Sequence, residues 1–186
     1  MPTNESNMKA GWLWLSRLLA YPDENWQQTV DEVEAVLPLM PPSVAGEIQH
    51  FVAAMAAFAA MQRQDHYVQV FDFGKKTNLY LTYADFGEER ERGPALLEFK
   101  KQYAQAGFAL NENELPDFLP AVLEFCAQVD WETARRMLLP HAGRVARLQT
   151  ALQPHASPYA HLLLAVQQGI EMMQTESKPS PVEVAA

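Results

Sequence analysis

Five histidines and a single cysteine are the side chains of this sequence best suited to metal binding or nucleophilic chemistry. A metal site needs several such ligands that converge, which on one helix means spacings of three or four residues. No two of the histidines have that spacing, and Cys126 has no histidine close to it in the sequence. The pattern therefore predicts no metal site. The histidines are His50, His66, His141, His155 and His161.

The familiar catalytic motifs are missing as well. The sequence contains no Gly-x-Ser-x-Gly turn, no His-Glu-x-x-His pair and no glycine-rich phosphate loop followed by Lys-Ser or Lys-Thr. The carboxylates of Glu88 and Glu89 lie in a charged stretch that is typical of a solvated connector. Cys126 has apolar neighbours, which favours a buried and inert thiol. We therefore predict no catalytic residues, no resident cofactor and a protein that is not an enzyme.

The charge balance narrows the classes of partner. With 14 basic and 23 acidic residues, the formal net charge is -9, which repels the phosphates of nucleic acids and anionic lipids. This charge either favours a basic partner, such as an arginine-bearing peptide, or only keeps the protein soluble. The longest apolar run, residues 51–61, is too short to span a membrane, and the first residues lack a secretory pattern. We predict a cytoplasmic protein that neither inserts into membranes nor binds nucleic acid.

Helical periodicity predicts the elements that must position any site. Trp12, Leu15, Leu18 and Leu19 share one face of a first helix, and proline or glycine interrupts the pattern at intervals thereafter. The breaks predict one all-α domain over residues 1–174, a bundle of roughly eight to ten helices, followed by a flexible tail over residues 175–186.

Some local expectations follow from the same pattern. Pro140 is expected to kink or split a helix, and Asp117 is expected to cap the start of one. Arg144 is expected on a solvated helix face. The stretch 78–86 admits a strand by its composition, although the segments around it are helical.

Three motifs in the middle of the chain carry a family resemblance. They are Tyr-x-x-x-Phe-Asp at 67–72, Arg-x-Arg-Gly at 90–93 and Leu-Pro-Asp-Phe-Leu-Pro at 115–120. In this order and spacing, and together with Leu-Ser-Arg-Leu-Leu-Ala-Tyr-Pro-Asp at 15–23, they resemble the nitrate reductase molybdenum cofactor assembly chaperones. These are the NarJ-type delta subunits of the wider TorD-like superfamily. The resemblance covers about residues 10–165.

The resemblance implies an all-helical fold and a private chaperone rather than an enzyme. Such proteins bind the N-terminal segment of the catalytic, molybdenum-containing nitrate reductase subunit and hold the apoenzyme while the cofactor is inserted. Cofactor-delivery proteins are further candidate partners. Residues 82–87 depart from the family pattern, because many relatives carry a Glu-His-Val-His-Gly-like stretch there. The tail is also shorter than in many relatives, so any role of a long acidic tail does not carry over.

A chaperone of this kind needs an apolar groove with a polar rim that accepts an amphipathic helix. Tyrosine suits such a groove, because its ring packs while its hydroxyl finds a polar partner. Asp72 is expected to face a basic peptide residue at the rim. Phe71 is alternatively plain core, and Arg92 alternatively forms a buried ion pair. The candidate ion-pair partners of Arg90 and Arg92 are Glu88, Glu89 and Asp117. The hypothesised peptide-binding residues are Tyr67, Phe71, Asp72, Tyr80, Tyr83, Arg90, Arg92 and Phe118.

Three other functions compete with this hypothesis. The first is a TorD-like chaperone for another molybdoenzyme, such as a dimethyl sulfoxide or trimethylamine N-oxide reductase. The second is a helical carrier that holds a nucleotide or a pterin in an aromatic cleft. The third is a hydrolase assembled from scattered carboxylates, which has no recognisable site in the sequence.

Overall fold

The computed structural model of this chain describes residues 4–74, 76–86, 90–109 and 114–175. Ten α-helices follow one another along these residues, and no β-strand is assigned within them. The predicted all-α fold is confirmed. The helices are α1 (Asn4–Leu19), α2 (Trp26–Val36), α3 (Pro42–Met55), α4 (Ala60–Tyr67), α5 (Tyr83–Phe86), α6 (Arg92–Gln105), α7 (Leu119–Gln128), α8 (Trp131–Leu138), α9 (Ala142–Leu152) and α10 (Tyr159–Thr175).

Prolines set many of the boundaries. Pro42 and Pro120 stand in the first turns of α3 and α7, where a missing backbone N–H costs nothing. Pro140 lies in a short 3-10 turn, Leu139–His141, that separates α8 from α9, so the predicted split is confirmed. Similar 3-10 turns occupy Leu37–Leu39 and Gln153–His155, and a π-helical turn, Val68–Asp72, extends α4. The predicted tail beyond Thr175 lies outside the described residues.

Helix α1 contributes a fully buried face to the core. Trp12, Leu15, Leu18 and Leu19 are fully buried, as their shared face predicts, and the helix packs chiefly against α7 and α10. The absence of a side chain at Gly169 lets α10 approach closely, because a Cβ there would collide with the ring of Trp12. Burial of this apolar surface is the main stabilising contribution to such a fold.

The stretch 78–82 forms neither a helix nor a full strand. Tyr80 makes an isolated antiparallel bridge with Phe118. On either side of it, the N–H of Leu81 donates to the carbonyl of Asp117 at 3.0 Å, and the N–H of Leu119 donates to the carbonyl of Leu79 at 2.8 Å. The strand-like composition of this stretch therefore corresponds to a short extended pairing of Leu79–Leu81 with residues 117–119, at the start of α7.

The expectation for Arg144 was wrong. Its side chain is buried and donates to the carbonyl oxygens of Lys76 at 3.3 Å and Asn78 at 3.0 Å. Burial lowers the pKa of Arg144, with a further lowering from nearby Arg147. These two bonds to loop carbonyls explain why a cation on α9 is drawn inward.

No single helix within the described residues has both the length and the apolar character that a membrane span requires. The sequence around Pro42–Met55 and Ala60–Asp72 meets the criteria only when the two helical segments are taken together, and they meet at a bend of 118°.

Candidate functional site

An open cleft of about 530 Å³ lies where the end of the π-helical turn, the loop before α5 and the start of α6 meet. This volume falls in the range of ligand-binding clefts in proteins. Five of the eight hypothesised peptide-binding residues line it. We call it the aromatic cleft; its lining residues are Phe71, Asp72, Phe73, Gly74, Asn78, Tyr80, Tyr83 and Arg92.

Phe71 forms the base of the aromatic cleft. Its ring is buried and meets the rings of Tyr67 and Tyr159, each with a centroid distance of 4.9 Å. Phe71 therefore belongs to the core and also lines the aromatic cleft. Tyr67 lies beneath the lining, where its hydroxyl donates to the carbonyl of Leu19 at 3.3 Å. Burial raises the pKa of Tyr67, so its phenol stays neutral.

The turn that carries Phe73 depends on a glycine. A Cβ at Gly74 would collide with the side chain of Thr77 and the carbonyl of Val70. Without that Cβ, the Thr77 hydroxyl donates to the Val70 carbonyl and closes the turn. Phe73, just before this glycine, is 79% exposed, the largest value among the exposed large apolar side chains of the described residues. The exposed ring of Phe73 adjoins the other aromatic side chains of the lining, so the apolar surface of the cleft extends to it.

Arg92 organises one wall of the aromatic cleft. Its Nη2 donates to both carboxylate oxygens of Asp117, and its Nε donates to the hydroxyl of Thr82 at 3.0 Å. Its guanidinium carbon lies 5.4 Å from the ring centroid of Tyr80 and 5.5 Å from that of Tyr83, which are cation–π distances. The buried ion-pair alternative for Arg92 is thus realised with Asp117.

Asp117 does not cap α7, contrary to expectation. It is completely buried and accepts from the N–H of Thr82 at 3.0 Å and from the Thr82 hydroxyl at 2.6 Å, besides Arg92. The residue before α7 is Phe118, with no capping side-chain bond. The carboxylate therefore fixes the loop before α5 instead of a helix end.

The remaining hypothesised residues occupy different positions. Phe118 is partly buried, and its ring centroid lies 5.4 Å from that of Tyr80, just behind the lining. Arg90 is exposed and does not line the aromatic cleft. Pairing of either arginine with Glu88 or Glu89 concerns residues outside those described. Tyr80 is half-buried, and burial raises its pKa, with a further contribution from Asp117.

Sequence reasoning missed three lining residues: Phe73, Gly74 and Asn78. A usable signal existed for Phe73, because it stands two positions after Phe71 in a helical stretch. Positions two apart lie on different faces of a helix, so a buried Phe71 turns Phe73 outward. Asn78 offered no such signal, since its position depends on the buried side chain of Arg144.

A second cleft, of about 360 Å³, differs in character from the first. Apart from one alanine, its lining is polar or charged, so it offers little apolar surface to a helix. Its lining residues are Glu98, Gln102, Gln105, Ala106, Thr133 and Arg136. The aromatic cleft is therefore the better candidate for an amphipathic ligand.

Comparison with known proteins assigns the chain to a family. The profile described as nitrate reductase delta subunit matches residues 37–165. The chain belongs to the nitrate reductase delta subunit family. This membership confirms the family that the three motifs indicated.

Two relatives of this delta-subunit family member are named as nitrate reductase assembly chaperones. A Bacillus subtilis protein named probable nitrate reductase molybdenum cofactor assembly chaperone NarJ is 39% identical over 87% of this chain and 90% of its own length. The Escherichia coli K12 chaperone NarJ is 36% identical over 80% of this chain and 64% of its own length. A Mycobacterium tuberculosis nitrate reductase-like protein, NarX, matches 87% of this chain with 24% of its own length. The predicted class, a chaperone rather than an enzyme, is confirmed.

Proposed function

We propose that this chain is a cytoplasmic chaperone that binds the N-terminal segment of the apo catalytic subunit of nitrate reductase in the aromatic cleft. The choice of client rests on membership of the delta subunit family. Curated relatives in that family include nitrate reductase assembly chaperones. The location of the peptide site rests on the aromatic cleft, which five of the eight hypothesised peptide-binding residues line. Holding the client there keeps it open to insertion of the molybdenum cofactor by delivery proteins.

The apolar part of the aromatic cleft suits an amphipathic helix. Phe71 supplies a buried base, Tyr80 and Tyr83 supply rings on the wall, and Phe73 stands exposed at the mouth. A peptide helix presents apolar anchors at i, i+3, i+4 and i+7 on one face. Docking would remove both this apolar face and the ring of Phe73 from water. Tyrosine rings pack against such anchors while their hydroxyls remain hydrogen-bonded.

The charges around the aromatic cleft favour a basic segment. Asp72 is exposed in the lining, and the whole chain carries a formal charge of -9. Arg92, which would otherwise repel a cation, is neutralised by Asp117 and covered by two tyrosine rings. Electrostatic complementarity of this kind speeds encounter and sets orientation more than it adds affinity.

Titration calorimetry tests the proposal. The full chain is titrated with a synthetic peptide of the N-terminal segment of the catalytic subunit, and with a scrambled peptide of the same composition as a control. We expect saturable one-to-one binding of the native peptide with a negative heat-capacity change, since apolar surface is buried. Equal binding of both peptides, or none with the protein folded, would contradict the proposal.

What co-purifies with the protein distinguishes the competing functions. Capture of a different apo-molybdoenzyme in place of nitrate reductase would indicate a chaperone of the wider superfamily with another client. Ultraviolet absorbance that remains with the purified protein, and is released on denaturation, would indicate a nucleotide or pterin carrier. We expect neither result.

A further inference from the structure

Two helices bring a glutamate and two histidines together outside the aromatic cleft. Glu47 and His50 lie one turn apart on α3, and His161 lies in the first turn of α10. Oε2 of Glu47 is 2.7 Å from Nδ1 of His161 and 3.9 Å from Nδ1 of His50. One ligand atom from each residue lies within 4.8 Å of the other two.

These distances are close to those of a metal-binding triad. Ligand atoms bound tetrahedrally to one zinc ion at about 2.0–2.1 Å are separated by roughly 3.3 Å. The two measured separations fall on either side of that value. The side chains of His50 and His161 are 66% and 43% exposed, so their rings can turn without disturbing the core. Glu47, at 17% exposed, is the anchored member.

We propose that Glu47, His50 and His161 bind a divalent transition-metal ion of the zinc class, with water in the remaining position. Two imidazoles and one carboxylate form the ligand set that such borderline ions accept, whereas magnesium and calcium prefer oxygen ligands alone. In the described part of the chain, the ion pairs of Glu47 are both with imidazoles, so no lysine or arginine there competes for its carboxylate.

The bound ion would act as a clamp between α3 and α10. Tyr159, two residues before His161, packs against the ring of Phe71 at 4.9 Å, and Phe71 is the base of the aromatic cleft. Fixing the start of α10 to α3 therefore holds the support of the cleft in place. The metal site itself stands apart from the proposed peptide binding and is tested without any peptide.

Metal titration of the full chain, prepared without a histidine tag and stripped with a chelator, tests the proposal. Zinc is added in competition with a chromogenic chelator, which reports the free metal. We expect one zinc per chain, a higher melting temperature in zinc, and at least a roughly 10-fold weaker affinity in each of His50→Ala and His161→Ala. His155→Ala, which changes an exposed histidine outside the triad, should bind zinc like the parent chain.

Two results would overturn the site. One is zinc affinity that stays unchanged in both triad variants, which would place the metal elsewhere. The other is no binding by the folded parent chain, which would leave Glu47 and His161 as a plain hydrogen-bonded pair. Circular dichroism checks that each variant is folded, and the exposure of His50 keeps His50→Ala informative if His161→Ala unfolds.

Discussion

Arg92 and Asp117 form a buried, forked ion pair in which Nη2 lies 3.1 Å from Oδ1 and 3.0 Å from Oδ2. The pair joins the start of α6 to the segment just before α7. Thr82, in the loop before α5, donates to Asp117 and accepts from Arg92. An arginine from the family-like motifs thus works inside the protein, where it holds two tyrosines on the wall of the aromatic cleft.

Breaking this pair should destabilise the fold. Removing one partner leaves the other charge buried and unpaired, so Arg92→Ala and Asp117→Asn should each lower the free energy of unfolding by about 3–5 kcal/mol. Urea denaturation measures the change. Arg90→Ala, at an exposed position in the same motif, is the control and should change stability by less than about 0.5 kcal/mol. Similar values for Arg90→Ala and Arg92→Ala would refute the structural role of the pair.

Tyr80→Ala should weaken binding of the client peptide without unfolding the domain. The half-buried ring contacts Phe118 and lines the aromatic cleft, so its loss removes contact area from the centre of the proposed interface. We expect about a 10-fold loss of affinity in calorimetry, and a smaller loss for Tyr80→Phe, which keeps the ring. Unchanged affinity in a folded Tyr80→Ala protein would exclude Tyr80 from the interface.

Phe73→Ala should affect binding much more than stability. The ring is 79% exposed, so it contributes little to the folded core, yet it stands at the mouth of the aromatic cleft. We expect a loss of peptide affinity of several-fold, measured by calorimetry, with an unchanged melting temperature. Met61→Ala is a matched control, because Met61 is 73% exposed and does not line the cleft. Equal losses in the two variants would point to non-specific apolar binding.

Asp72→Asn should reduce the salt dependence of peptide binding. Its carboxylate is exposed in the lining, so its attraction to a basic peptide side chain is screened by added salt. We expect weaker binding than the parent chain at low salt and nearly equal binding at high salt, measured by calorimetry across a salt series. Asp65→Asn, an exposed acid outside the lining, controls for net charge. Matching salt series for the two variants would mean that only overall charge matters.

Acid should destabilise the fold partly through His141. Burial lowers the pKa of this imidazole from its ordinary value of 6.5, against smaller opposing effects of Asp117 and Asp85, and its ring stacks on Phe99 at 4.9 Å. Between the lowered folded pKa and about 6.5, the unfolded chain binds more protons. The contribution of His141 to stability is therefore present above about pH 6.5 and is lost as the pH falls.

The measurement for His141 compares urea midpoints at about pH 7.5 and about pH 5. His141→Asn should lose less stability on acidification than the parent chain. His66, whose pKa is also lowered by burial and by nearby His155, remains in both proteins, so it cancels in the comparison. An identical loss in the two proteins would remove His141 from the acid response.

Local signals predicted most of the helices, because periodicity and proline breaks act over a few residues. The need for an apolar groove indicated Phe71, Tyr80 and Tyr83, and the structure brings these together in one lining. Their role in peptide binding stays a prediction.

Contacts between residues far apart in the sequence could not be predicted in this way. The burial of Arg144 depends on carbonyls that lie 66 and 68 residues away, and the pairing of Glu47 with His161 spans 114 residues. A single sequence contains the residues of such contacts but not the packing of helices that brings them together. Ligand spacing along one helix therefore gave no information on side chains that two helices bring together, such as Glu47 and His161.

The packing of α1 against late elements of the chain has a consequence for synthesis on the ribosome. Its main packing partners, α7 and α10, begin at Leu119 and Tyr159, so they emerge more than 90 residues after α1 is complete. Until then, the apolar face that carries Trp12 lacks its main packing partners. A nascent chain with such an exposed apolar face is prone to aggregation. This chaperone must therefore itself pass through a vulnerable stage during translation, and its folding should be completed only as α10 docks.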